Sequence, residues 1–228
     1  DAGETIQYDQ YAAQVKKLLD KHVVGVDIKD VQGVYEVNKM GKKQAPEDWS
    51  ADKTRNETDI IKTRVTRMIE QDLRDDPYAQ EAFSKLLRQA IADAEKLFDH
   101  PLKQYLLFHD FAEQVQQRRV PDMPNVFAGN HHAQAYFGVF KQTLPEVFAA
   151  AGQATQDQWA QLAFALDAHV EQSVAEHSIN PQNIEADIRK KLLPLLFKEC
   201  KAIGGGMDQA KAMVERVVQI VRVGLSGV

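Results

Sequence analysis

Asn130-His-His-Ala-Gln-Ala-Tyr-Phe-Gly-Val-Phe-Lys141 is the stretch on which the reading of this chain turns. Aromatic and small residues crowd its middle, with short polar punctuation around them. It offers no activated nucleophile, no phosphate cradle and no metal-ligand spacing. The stretch therefore reads as a structural signature, with Asn130 placed to cap a helix that carries Tyr136, Phe137 and Phe140.

Upstream, Pro121 and Pro124 mark the clearest internal boundary. Before them, Thr54-x-x-Glu57 has the letters of a capping box opening a helix with Ile61, Val65, Met68, Ile69 and Leu73 on one face. That helix ends at Asp75-Asp76-Pro77, and Pro77 starts the next because its missing N–H costs nothing at the first position. The second helix is expected to bury Tyr78, Phe83, Leu86, Leu87, Ala90, Ile91 and Ala94. His100-Pro101 restarts the pattern with Leu102, Tyr105, Leu106, Phe108 and Phe111. Three helices with short breaks predict antiparallel neighbours in a bundle.

Downstream, Thr155-x-x-Gln158 predicts a second capping box and a helix with Trp159, Leu162, Leu166, Val170 and Val174 on one stripe. Asn180-Pro181 opens a segment reaching Cys200, expected to be kinked or split near Pro194. Gly204-Gly205-Gly206 is a flexible stop, and Asp208 is expected to cap a last helix with Met213, Val214, Val217 and Val221 inward. At the other end, Tyr8, Tyr11, Val15, Leu18 and Leu19 suit a helix over about 9–22. Val23–Val37, rich in β-branched residues and punctuated by Gly25 and Gly33, suits an extended strap. Lys39 to Ser50 reads as a loop. The expected fold is mainly α: a two-lobed helical bundle with a short extended N-terminal strap. Residues 1–50 form the N-terminal helix and strap, 51–120 a helical bundle lobe and 121–228 a C-terminal helical lobe.

The 228 residues suffice for one large or two small domains, and 44% apolar with 27% charged content excludes a disordered tail. A net charge of −5 argues against a dedicated DNA-binding module but leaves room for a local basic stripe. The single cysteine, Cys200, excludes a disulfide framework and fits a reducing cytosol. No run is long enough to span a bilayer and no leader pattern is present, so a cytoplasmic protein without membrane contact is expected. A first residue of Asp rather than Met predicts a piece of a longer protein.

No constellation predicts a catalytic or metal site. His131 and His132 are adjacent and point about 100° apart on a helix, with no ligand-type partner four residues on. Gly204-Gly-Gly-Met-Asp208 precedes a helix but lacks the Gly-Lys-Ser/Thr of a phosphate loop. Pro121-Asp122 and Glu199-x-Lys201 imitate the letters of a metal-dependent nuclease motif, yet the second element sits at a helix end rather than on a strand. Cys200 lies in an apolar run with no base beside it, as a structural thiol does. The cations carry more information. Arg64, Arg67, Gln71 and Arg74 follow helical spacing on a stripe distinct from the apolar face, and guanidinium rows can track a phosphate backbone. Lys42 and Lys43 form a second basic patch on the loop near Trp49. These five cations are the candidate DNA contacts, set against an ordinary salt-bridged surface.

Thr54–Leu107, the Asn130 stretch and Asp187–Leu225 together resemble the region after the motor domains in R (HsdR) subunits of type I restriction enzymes. The matching pieces are Asp59-Ile-Ile-Lys-Thr-Arg-Val-Thr-Arg-Met-Ile69, Asp76-Pro-Tyr-Ala-Gln-Glu-Ala-Phe-Ser-Lys-Leu-Leu87 and Ala135-Tyr-Phe-Gly138. The short apolar C-terminus departs from the usual pattern. The resemblance implies a non-catalytic, DNA-proximal assembly domain docking an ATP-dependent translocase and endonuclease onto a methyltransferase core of modification and specificity subunits. It implies no cofactor for this region, ATP and Mg serving the parent enzyme, and only weak, nonspecific contact with duplex DNA. The competing reading is a small ligand-binding or enzymatic bundle with a pocket among Tyr105, Phe108, Phe111, Tyr136 and Phe137.

Overall fold

The computed structural model describes residues 46–177 and 181–226. The expected helix over 9–22, the strap Val23–Val37 and the loop lysines Lys42 and Lys43 lie outside the described residues. Eight α-helices fill the rest: α1 Ala51–Arg67, α2 Pro77–Glu95, α3 Pro101–Gln116, α4 His131–Thr143, α5 Pro145–Ala150, α6 Gln153–Glu176, α7 Ile184–Ala202 and α8 Met207–Ser226. There is no strand among the described residues, so the fold is mainly α. No helix among them is long and apolar enough to cross a membrane.

Two hydrophobic cores divide the structure. Ile61, Val65, Phe83, Leu87, Phe108 and Val115 belong to the first, which ends at Val120. Phe127, Phe137, Phe140, Trp159, Leu166, Leu192 and Met213 belong to the second, and partly buried Met123 packs against both. Val120 is the last residue of the first core and Phe127 the first of the second. α1 packs on α3 in the first lobe, while α4 packs on α6 and α8 in the second, with α7 between α6 and α8. α4 is buried from Ala133 to Phe140 without interruption, as expected of a helix enclosed on all sides. It also touches α2, so the stretch that opened the sequence reading is the spine joining the lobes.

Several helix ends differ from expectation. α1 starts four residues earlier than its supposed capping box. Ser50 is the N-cap, accepting from the Lys53 N–H, and Thr54 is buried, its hydroxyl donating back to the Ser50 carbonyl at 3.0 Å. Thr54 resembles a cap in sequence because the same hydroxyl that caps a helix also back-bonds inside one. α6 likewise starts at Gln153 with Gly152 as N-cap, leaving Thr155 in the first turn. α7 runs unbroken through Pro194. Its end is a two-bond glycine stop, with Gly204 at φ 79° and Gly205 N–H donating to the Cys200 carbonyl at 2.8 Å. Asp208 does not cap α8; Gln209 Oε1 instead accepts from the Gly206 N–H at 2.6 Å. Ile91 and Leu106, expected inside, are 41% exposed each.

α1 does not stop at Arg67 but widens into a π turn over Met68–Asp72. Its buried positions Ile61, Val65, Ile69 and Leu73 are spaced by four throughout. In a regular α-helix each such step drifts by about 40°. The extra residue of the π turn brings Leu73 back onto the core face.

Candidate functional site at the lobe junction

The corner Asp75-Asp76-Pro77-Tyr78 between α1 and α2 meets α4 in a cluster of polar contacts. Asp76 is fully buried. Its Oδ1 caps α2 by accepting from the Ala79 N–H at 2.9 Å, and its Oδ2 accepts from Gln134 Nε2 of α4 at 3.0 Å. Burial pushes its carboxyl above the ordinary range, although these bonds pull the other way. Beside it, Arg118 Nη1 lies 2.9 and 3.0 Å from the two Asp75 oxygens, and Arg118 Nη2 donates to the Asp72 carbonyl at 2.7 Å. Arg74 Nε and Gln80 Nε2 take the carbonyls of Glu70 and Ile69. The carbonyls left over at the π turn are thus satisfied from outside the helix.

Arg118 holds this position at a cost. It sits at φ 48°, the left-handed position at the end of α3, where Gly is the usual occupant. Arg119 N–H donates to the Gln114 carbonyl and Arg118 N–H to that of Val115, which completes the stop. A side chain at such a φ is strained by about 1–2 kcal/mol. Here the strained residue supplies the guanidinium that clasps Asp75.

A second contact lies along the same corner. A Cβ on Gly138 would stand 2.5 Å from Tyr78 Cβ, so only glycine lets α4 approach α2 this closely. The Tyr78 hydroxyl donates to Asp122, Lys141 Nζ lies 2.5 Å from Asp122 Oδ2, and Lys141 sits 5.0 Å over the Tyr78 ring. Burial raises the Asp122 carboxyl, but Lys141 and Tyr78 outweigh it and leave the group below its ordinary range.

A cavity of about 450 Å³ opens beside the junction, between α6 and the end of α8. Val170, Val174, Ile220, Val221 and Leu225 form its apolar wall, and Asp75, His132, Tyr136, Asp167 and Glu171 its polar one. Next to it, Gln71, Asp72, Arg74, Asp75 and Arg222 line a second groove. Apolar walls with a few convergent polar groups are the usual make-up of a binding site.

The candidate DNA contacts divide. Arg67 is exposed and donates to neutral Gln71 at 2.9 Å, and Arg74 is exposed on the backbone carbonyl of Glu70. Arg64 is half-buried. Gln71 links Arg67 to the groove that Arg74 lines, whereas the π turn separates Arg74 from the regular helical register of Arg64 and Arg67. The imitation nuclease letters do not act together: Asp122 is held by Tyr78 and Lys141, and Glu199 accepts from Gln158 at 3.0 Å. The aromatic pocket of the competing reading is split, because Tyr105, Phe108 and Phe111 fill the first core and Tyr136 and Phe137 the second.

Sequence reasoning assigned no site role to Arg118, Gln134, Asp167 or the triad Glu176, His177 and Asp187, whose ligand atoms lie within 4.8 Å of one another. Lys191 Nζ lies 2.8 Å from both Glu176 Oε2 and Asp187 Oδ2, so an ammonium already supplies the positive charge there. The one available signal for the junction was a glutamine inside the apolar run Ala133–Phe140. No family model, curated protein or solved structure matches this chain.

Proposed function

We propose that this chain is a non-catalytic helical docking module, the counterpart of the region that joins the motor of a type I restriction enzyme R subunit to its methyltransferase core. The observation that carries the reading is the junction. The segments that carry the resemblance, Asp76–Leu87 and Ala135–Gly138, supply Asp76, Tyr78 and Gly138, the residues through which the two lobes meet. Such a joint fixes a two-lobed surface, which is what holding two larger machines in register requires. The parent enzyme would bring ATP and Mg to other domains; nothing is asked of them here.

The DNA-proximal part of the reading rests on Arg67 and Arg74, whose guanidinium hydrogen bonds go to an amide and a carbonyl rather than to a carboxylate. Their charge stays available to a phosphate backbone, with Arg64, Lys42 and Lys43 as further contacts. The net charge of −5 repels duplex from other faces, so binding is weak, sequence-independent and steeply reduced by salt.

Competition tests the reading. Added in excess, the purified chain should occupy the methyltransferase core and inhibit ATP-dependent cleavage by the intact enzyme while leaving methylation unchanged. Unaltered cleavage at saturating chain would contradict it.

A further inference from the structure

Asp167 and Glu171 stand one turn apart on α6 and face the same cavity of about 450 Å³. Like charges at this spacing repel, and among the described residues the nearest cationic group to either is His132, 3.8 Å from Asp167. Asp167 is only 6% exposed. Its Oδ2 accepts from Asn130 Nδ2 at 2.9 Å, but its Oδ1 is buried without a hydrogen bond. His132 Nδ1 stands 3.8 Å from that oxygen, beyond hydrogen-bond range. The Tyr136 ring is buried against the same cavity, and burial, then Asp167 and Glu171, hold its hydroxyl in the protonated form. Asp75, already paired with Arg118 at 2.9 Å, is the third carboxylate of the lining, and the rest of the wall is apolar, from Val170 and Val174 on one side to Ile220 and Val221 on the other, with Leu225 45% exposed at the edge.

We propose that this cavity receives an arginine side chain from a partner polypeptide. The guanidinium would pair with the Glu171 carboxylate in the field of the Asp167 carboxylate behind it, and its alkyl stem would lie on Val170 and Ile220. Charge complementarity chooses the occupant: phosphates and acidic peptides are repelled by the two carboxylates. An arginine brings several donors in one plane and is weakly hydrated, so it enters a half-apolar site more readily than lysine. Apolar residues flanking the arginine would cover Val174 and Leu225. The inference rests on the docking reading and names the chemistry of one contact within it.

The test uses the full chain and the blocked peptide acetyl-Leu-Arg-Leu-amide, with the citrulline peptide as its uncharged twin. Nuclear magnetic resonance titration should shift the methyl signals of Val170, Val174 and Ile220. Affinity should fall roughly tenfold or more for the citrulline peptide and for Glu171→Gln, an exposed substitution that leaves the fold intact. Asp167→Asn should act in the same direction. Absence of these shifts up to about 1 mM peptide, or equal binding of both peptides, overturns the site. Loss of the site with competition for the methyltransferase core retained would leave the docking reading standing without it.

Discussion

The two lobes are built on different margins. Among the described residues the C-terminal core buries 25 hydrophobic side chains and the N-terminal core 14. The larger core is closed by four helices around α4, whereas the smaller is a three-helix layer with Val65, Phe83 and Phe108 at its centre. A bundle of about 70 residues seldom stabilises itself by apolar burial alone. The smaller lobe therefore leans on α4 through Asp76, Tyr78 and the close approach at Gly138. Its polar bonds do what a larger core would otherwise do.

Truncation inside the larger core gives the largest expected effect. Trp159→Ala and Phe137→Ala, at 3% and 1% exposure, should each destabilise by about 3–5 kcal/mol in denaturant titration. Both lobes should unfold together, since the smaller depends on the larger. A biphasic transition with the N-terminal lobe surviving would reverse the dependence. Phe83→Ala instead should release the small lobe first, seen as selective loss of amide protection over 51–120 by hydrogen exchange.

The clasp itself comes next. Asp76→Ala removes the α2 cap, worth about 1 kcal/mol, and strands the buried Gln134 amide, worth about 1–3 kcal/mol. A total loss of roughly 2–4 kcal/mol is expected, against a much smaller one for Asp76→Asn, which keeps the cap. Equal losses would mean that the charge rather than the hydrogen bonds matters. Gly138→Ala should cost about 1–3 kcal/mol by forcing α4 from α2; an unchanged melting temperature would show that Tyr78 yields freely.

The smallest effect is a pH dependence of the junction. Burial, followed by Arg118, lowers the His131 pKa below its ordinary 6.5. A depressed pKa means that the folded state binds fewer protons than the unfolded one, so its stability is present above about pH 6.5 and lost as pH falls through the folded value. Asp76, with a raised pKa, acts in the opposite sense: its contribution is full below 3.8 and lost as pH rises through the folded value. His131→Gln should flatten the loss of stability just below pH 6.5 in thermal melts. An unchanged slope would assign it elsewhere.

What the sequence conveyed was periodicity. The stripes of α1, α4, α6 and α8 and the break at Pro121 and Pro124 follow from where apolar residues recur, and Asn130 caps α4 as its side chain predicts. Less legible were features that depend on a partner distant in sequence. Arg118 had no local reason to occupy a glycine position, because its reason is Asp75, 43 residues away. Gln134 was a polar letter in an apolar run until Asp76, 58 residues upstream, accounted for it. Ile91 and Leu106 match the helical period but lie at the edge of a core too small to cover them. The grouping of Tyr105 with Tyr136 failed because similar residues close in sequence fell on either side of the boundary. The Arg64, Arg67 and Arg74 row is interrupted by a π turn that residue spacing does not reveal.

The docking claim is tested most directly by the mass of the assembly. Light scattering on size exclusion, with the chain added to the modification and specificity subunits of a type I restriction enzyme, should show a complex heavier than the methyltransferase core by whole multiples of 25.7 kDa. Asp76→Ala should weaken that complex by loosening the junction. A core that elutes at its own mass, with the chain separate at about 10 μM of each, would contradict the account.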